Sequence, residues 1–282
     1  MVAESSASVI QGDCLKLVDT LEEKSVDVMI TSPPYWGQRT SNGMGIEEDP
    51  RAYLEFLSGF FVKLKSKMKE KGILWINIGD SYNTPVNWKM EDLKHSTLGA
   101  DSSGLNEENA AYTKPRHKRK AFIENGTPWL SYGNLLALPQ RLIVELCNNG
   151  YFFRGEVIWK KANAMPEGRC RRPHRKHEVI LLFSVSEQHQ FRTKPPVPSV
   201  WEFSNEQPSQ KTRHYSRFPL KLPFSCIEAY GKVGPDVLVL DPFSGSGTTG
   251  AAALELGCSY IGFEIDEEHV SSSNEWLNEI MN

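Results

Sequence analysis

Apolar residues recur along the chain in short runs, and between the runs lie stretches whose apolar positions fall three and four residues apart. The runs at Ser8–Ile10, Val26–Ile30, Ile73–Ile78, Glu156–Trp159, Val179–Phe183, Val237–Leu240 and Tyr260–Phe263 predict seven strands. Pro50–Glu70 opens on proline and carries Tyr53, Leu54, Leu57, Phe60, Phe61 and Leu64 along one stripe, which predicts a helix. Leu135–Asn149, Thr248–Leu256 (closed by Gly257) and Glu267–Met281 predict three more. Strands separated by helices imply a mostly parallel sheet covered on both faces, an α/β architecture. Two polar stretches break this rhythm, Ser81–Thr127 and Lys160–Arg217 apart from its strand at 179–183. Compact domains seldom carry such long irregular chain without a use, so both are candidate substrate-binding insertions rather than linkers.

Composition narrows the class. A chain of 282 residues with 39% hydrophobic and 24% charged residues can bury a sizeable core. Its apolar runs are far shorter than the ~18 residues of a membrane helix, and its start lacks a basic-then-apolar leader pattern, so a cytoplasmic protein with no membrane partner is expected. The five cysteines (Cys14, Cys147, Cys170, Cys226, Cys258) are odd in number and form no Cys-x-x-Cys pair, which argues against a disulfide framework or a four-cysteine zinc site. Cys170-x-x-x-His174-x-x-His177 lies inside an arginine-rich run and is read as solvated or facing an anionic partner; no metal is expected.

The net charge of −3 speaks against a nucleic-acid partner until its distribution is considered. From Arg154 to Lys221 there are 14 lysines and arginines against 6 acidic residues, a net +8, whereas Leu222 to Asn282 holds 1 lysine against 10 acids, a net −9. A second basic cluster, Lys114-Pro-Arg-His-Lys-Arg-Lys120, sits in the first polar stretch. Alone it reads equally well as a solvated loop.

Two motifs carry chemistry. Val237-Leu-Val-Leu-Asp-Pro-Phe-Ser-Gly-Ser-Gly-Thr-Thr-Gly250 runs from a buried strand into a glycine-rich turn and an alanine-rich helix. Gly245-x-Gly247-x-x-Gly250 has the spacing that lets backbone approach a ligand at a helix N-terminus. The next strand ends in Glu264, 19 residues after Gly245, where a carboxylate can accept ribose hydroxyls. No lysine follows Gly250, so a triphosphate-binding loop is excluded. The loop alone does not separate NAD from S-adenosylmethionine. The second motif, Thr31-Ser-Pro-Pro-Tyr-Trp36, follows the strand Val26–Ile30 at the edge where open α/β sheets bind ligands. Consecutive prolines fix the backbone and hold nearby carbonyls in place; those carbonyls and a serine hydroxyl can accept from an exocyclic amino group, and Tyr35 offers a ring face to a planar base.

With these motifs in this order, the sequence resembles the β class of DNA amino-methyltransferases, a circularly permuted family in which the Pro-Pro-aromatic motif precedes the cofactor loop. The resemblance spans nearly the whole chain, through Gly12-Asp13-Cys14, Gly72–Ser81, Gly150–Trp159, Asn163–Glu167, His177–Leu182, Ser199–Trp201 and Arg213–Pro219. It implies a Rossmann-like, seven-stranded methyltransferase sheet with helices on both faces and irregular DNA-recognition insertions. Residues 1–80, 128–160 and 213–282 would form the catalytic and cofactor-binding domain, 81–127 a polar insertion touching DNA, and 161–212 a basic target-recognition segment with one core strand at 178–183. The implied cofactor is S-adenosyl-L-methionine, with Asp13 near the adenine, Glu264 on the ribose, and Asp241, Phe243, Ser244, Gly245, Gly247, Thr248 and Thr249 around the remainder.

Serine at the first catalytic position resembles the N4-cytosine subgroup, with N6-adenine the alternative. Ser32, Pro33, Pro34 and Tyr35 are then the catalytic set, acting on a base rotated out of the duplex. Trp36 would shape the pocket wall. C5 methylation needs a cysteine nucleophile usually preceded by proline, and none of the five follows one. Lys114, Arg116, Arg169, Arg171, Arg172, Arg175, Lys176 and Arg213 are the expected phosphate contacts on double-stranded DNA. A restriction-modification setting with a cognate endonuclease, and a monomer or weak dimer, complete the expectation. An NAD-dependent oxidoreductase would explain the glycine loop but not the Ser-Pro-Pro-Tyr turn. RNA and protein-glutamine methyltransferases usually carry Asn-Pro-Pro-Tyr downstream of that loop.

Overall fold

The computed structural model describes residues 5–37, 44–85, 120–162, 172–203 and 218–282. Among the described residues, eight strands form one sheet: β1 (Ala7–Gln11), β2 (Val26–Thr31), β3 (Met68–Ile78), β4 (Phe152–Lys161), β5 (His177–Ser184), β6 (Val200–Phe203), β7 (Leu238–Asp241) and β8 (Ser259–Glu264). Their order across the sheet is β1-β8-β7-β2-β3-β5-β4-β6. Of these, only β5 runs against the rest, pairing antiparallel with β3 and β4. The α/β class stands, with one strand more than expected. β6 adds to the outer edge of β4 in parallel, Ile158 opposite Val200. A four-residue strand flanked by Pro198 and polar chain has too few alternating positions to announce itself.

The helices are α1 (Cys14–Leu17), α2 (Pro50–Lys65), α3 (Leu138–Asn148), α4 (Lys221–Tyr230), α5 (Thr248–Glu255) and α6 (Glu267–Met281). The sequence pattern predicts neither α1 nor α4. Pro223 makes the α4 segment read as loop, yet it stands in the first turn, where a missing N–H costs nothing. The helix expected to reach Glu70 stops at Lys65, because Met68 already pairs with Val26 as the start of β3. Gly72 allows that pairing to bulge: a Cβ there would stand 2.9 Å from the Lys69 carbonyl and 3.1 Å from that of Val26.

Period-two alternation divides the core. Met29, Leu74, Ile76 and Ile78 point to one face, under α2 and α3 with Phe60, Phe61, Leu142 and Leu146. Val28, Ile30, Ile73 and Trp75 point to the other, under α4, α5 and α6 with Ile227, Ala252 and Leu277. Trp75, Trp159 and Trp201 are buried, as expected of core aromatics. No described helix is long and apolar enough to cross a membrane.

Candidate active site

The parallel strands bring the ends of β1, β8, β7, β2 and β3 to one edge, and the reversal of β5 brings its first residues there too. β7 and β2 are neighbours in the sheet although 210 positions separate Thr31 from Asp241. Chain order changes direction between these two strands, the place where open α/β sheets leave a crevice. Thr31 Oγ1 donates to Asp241 Oδ1 at 2.8 Å across it, and Thr249 Oγ1 donates to Asp241 Oδ2 at 2.7 Å. The Phe243 N–H adds a third bond at 3.0 Å. Burial nevertheless pushes the Asp241 carboxyl up to about 6, against the pull of these donors.

The glycine loop is shaped for close approach on one side and for packing on the other. Gly245 (φ +54°) and Gly247 (φ +77°) occupy the left-handed region, and Gly247 precedes the first turn of α5. A Cβ on Gly245 would meet nothing within 4 Å, so a ligand has room there. Gly250 faces the core instead, where a Cβ would stand 2.6 Å from Tyr260 Cε1. Ser244 Oγ is spent on the Tyr260 hydroxyl at 2.8 Å, Thr248 is buried beside Ser246, and Thr249 is turned inward to Asp241. These three side chains therefore brace the loop, leaving its backbone to meet a ligand. Phe243 packs on Phe60, ring centroids 5.3 Å apart.

Glu264 closes the cradle. Its Oε2 accepts from the Gly245 N–H at 2.8 Å and its Oε1 from the Ile265 and Asp266 N–H groups at 2.9 and 3.0 Å. Gly12 N–H donates to the Glu264 carbonyl at 2.8 Å, which sets Asp13 alongside; Asp13 itself caps α1 through the Leu15 N–H at 3.0 Å.

Across the crevice, the Ser-Pro-Pro-Tyr turn is held from several directions. Tyr53 on α2 donates to the Pro34 carbonyl at 2.9 Å. The Tyr35 ring lies against Gly79, where a Cβ would come within 2.6 Å of Cδ2 and Cε2. Its hydroxyl stands 3.0 Å from Glu178 Oε2, 3.2 Å from Asn77 Oδ1 and 3.4 Å from Ser32 Oγ. Burial and the Glu178 carboxylate raise its pKa well above the ordinary phenol value. Asn77 Nδ2 donates to Glu178 Oε2 at 3.1 Å, and Lys161 Nζ pairs with Oε1. Sequence reasoning does not single out Asn77, Lys161 or Glu178, although Asn77 and Glu178 lie inside the quoted motifs; no local pattern says that β5 runs backwards to reach Tyr35.

Other expectations fare differently. Trp36 is a core residue, its Nε1 donating to the Glu47 carbonyl at 2.8 Å. Arg175 donates to the Asp80 carbonyl at 2.8 Å, and the Arg172 guanidinium stacks 3.8 Å from the Tyr82 ring centroid. Both arginines thus have protein partners at the end of β3, while Lys176 is exposed. Lys114, Arg116, Arg169, Arg171 and Arg213 lie outside the described residues.

A permuted Rossmann-like sheet whose glycine-lined crevice adjoins a rigid Ser-Pro-Pro-Tyr turn defines the class of the amino-methyltransferases. The chain belongs to the DNA methylase family of N6 and N4 methyltransferases, whose model matches residues 26–275. It is 32% identical to the type II methyltransferase M.SmaI of Serratia marcescens, over 96% of this chain and 90% of that protein. It is 31% identical to M.Cfr9I of Citrobacter freundii, over 94% and 86%. Among solved structures it resembles the PvuII DNA methyltransferase, described as cytosine-N4-specific, with a TM-score of 0.69 and 22% identity over 100% of this chain and 94% of that one. A putative DNA modification methylase from Thermus thermophilus, in complex with S-adenosyl-L-methionine, gives 0.63 and 21% over 98% and 94%.

Proposed function

We propose that this DNA methyltransferase transfers a methyl group from S-adenosyl-L-methionine to the exocyclic N4 amino group of cytosine in duplex DNA. The observation that carries the reading is the Thr31–Asp241 hydrogen bond, which ties the end of the glycine-loop strand to the end of the Ser-Pro-Pro-Tyr strand. Serine at position 32 and the likeness to the cytosine-N4-specific PvuII enzyme favour cytosine over adenine.

Bound in the crevice, S-adenosyl-L-methionine supplies an electrophilic methyl group on a sulfonium sulfur. The Gly245–Gly247 backbone and Phe243 would hold its amino-acid portion, Glu264 its ribose and Asp13 its adenine. Three N–H donors already occupy the Glu264 carboxylate, which has roughly four acceptor sites, so one remains for a ribose hydroxyl. An aromatic amine is a poor nucleophile because its lone pair is delocalised into the ring. Ser32 Oγ and the Pro33 carbonyl would accept the amino protons and localise that lone pair for in-line attack, and Tyr35 would stack the extruded base. The Tyr53 bond to Pro34 keeps the turn rigid while this happens.

In this reading residues 1–80, 128–160 and 213–282 carry catalysis and cofactor binding, and 81–127 and 161–212 meet DNA. The likeness to type II enzymes favours a partner endonuclease that cleaves the unmethylated site. The deciding experiment incubates the protein with duplex DNA and labelled donor, digests the product to nucleosides and identifies the modified one by mass spectrometry. N4-methylcytosine is expected; N6-methyladenine alone would overturn the base assignment.

A further inference from the structure

The hydrogen bonds of the catalytic turn continue past it. Ser32 Oγ donates to Tyr35 Oη at 3.4 Å, and Tyr35 Oη reaches Glu178 Oε2 at 3.0 Å, with Asn77 Oδ1 at 3.2 Å as a second acceptor. A carboxylate in an ion pair can only accept, and Glu178 pairs through Oε1 with the Lys161 ammonium. That fixes the direction of the chain. Tyr35 gives its one proton toward Glu178 and Asn77, so its oxygen accepts from Ser32. Ser32 in turn spends its proton on Tyr35 and keeps its lone pairs for a donor in the pocket, which is what binding an amino group requires. A neutral or donating group at position 178 would leave Tyr35 only the Asn77 Oδ1 acceptor and weaken the bias that keeps the Ser32 proton away from the substrate.

We propose that Glu178, seated by Lys161 and Asn77, is a positioning residue for methyl transfer: it orients the Ser32–Tyr35 hydroxyl chain so that Ser32 accepts, and it anchors the Tyr35 ring. This rests on the catalytic roles of Ser32 and Tyr35 proposed above. A purely structural use of the Lys161–Glu178 pair is poorly motivated, because β4 and β5 already pair along their length from Phe152–Ser184 to Lys160–His177. Gly79 supplies the complementary restraint, since it lies against the ring whose hydroxyl Glu178 holds.

The test is a double-mutant cycle on the full chain, reading kcat for methyl transfer and KM for the donor. Glu178→Ala and Tyr35→Phe each remove one link, and each should lower kcat by about ten- to a hundredfold, the scale of small misplacements at a reacting centre. Donor KM should stay within about twofold for both, because neither group touches the glycine loop in this scheme. The double variant should be no more than about threefold slower than the slower single one. Glu178→Gln keeps the shape but can present an N–H to Tyr35, so its kcat should fall between wild type and alanine; it also decides the matter should Glu178→Ala fail to fold. An unchanged kcat in the glutamine and alanine variants, losses that multiply in the double variant, or a rise in donor KM in place of the kcat loss each overturns the proposal. The wild-type product is identified first: a product other than N4-methylcytosine overturns the base assignment and leaves the cycle readable on whichever base is methylated.

Discussion

At the scale of single residues, small distances set large effects. An alanine at Gly79 would place its Cβ 2.6 Å from two Tyr35 ring carbons, and the tethered hydroxyl prevents the ring from sliding freely away. Gly79→Ala should therefore cost about tenfold or more in methyl transfer, on the order of a misplaced catalytic group, with little change in donor binding by equilibrium dialysis. Asp241 supplies a pH test. Its carboxyl sits at about 6 in the folded protein against 3.8 for an ordinary aspartate. The native state thus binds the proton more tightly than the unfolded chain, and the cost of the buried charge is relieved as pH falls through about 6. From about pH 7 to about pH 5 that relief is about 1 kcal/mol. Urea unfolding of wild type and Asp241→Asn should show the difference shifting by that amount in favour of wild type on acidification; a difference independent of pH would mean that the carboxyl titrates normally.

At the scale of elements, the loop depends on how closely α5 lies on β8. Gly250 is the point of contact, with Tyr260 Cε1 at 2.6 Å and Leu277 Cδ2 at 3.0 Å from where a Cβ would stand. The Tyr260 hydroxyl is held by Ser244, so its ring has little freedom to retreat. Alanine would gain about 1 kcal/mol of helix propensity and lose about 1–3 kcal/mol to overpacking, so the strain wins. Gly250→Ala should lower the midpoint of thermal unfolding and weaken donor binding through the displaced Gly245–Gly247 turn. A second coupling joins α3 to the site. Asp80 Oδ1 accepts from the Leu138 and Ser81 N–H groups at 3.1 and 2.8 Å, so the end of β3 caps the start of α3. Burial raises the Asp80 pKa. Asp80→Ala should cost about 1 kcal/mol in unfolding free energy, the typical value of a lost cap, and remove the 3.7 Å ion pair with Arg175 while leaving the Arg175 bond to the Asp80 carbonyl in place.

At the scale of the whole molecule, charge is segregated along the chain, and the region from 154 to 221 is its cationic part. Not every arginine there is equivalent. Arg175 is bonded to Asp80 and Arg172 stacks on Tyr82, and both would lose protein contacts in turning to a phosphate. In titrations of DNA affinity against salt, replacing Arg169 and Arg171 with alanine should reduce the log–log slope by up to about 2, roughly 0.9 for each phosphate contact removed. Replacing Arg172 should change the slope by much less. Equal changes would show that the Tyr82 stack does not compete with DNA.

Much of this molecule is legible in the chain of residues. Seven strands, the helices that carry continuous stripes, the glycine loop and the Ser-Pro-Pro-Tyr turn are local patterns, fixed by alternation and by backbone chemistry within a few positions. Short or proline-bearing elements such as β6, α1 and α4 are not, since so few positions carry no readable period. Nor is the reversal of β5, which depends on pairing with β3 and β4 rather than on anything in His177–Ser184 itself. The sequence alone therefore determined which residue types could bind an adenosine-bearing donor and an amino group. Tertiary structure decided that Asp241 and Thr31 meet, that Ser244, Thr248 and Thr249 face inward, and that Glu178 and Lys161 stand behind Tyr35. The physical reason is that hydrogen bonds between strands far apart in sequence are set by sheet order and register, and neither is encoded within any one segment.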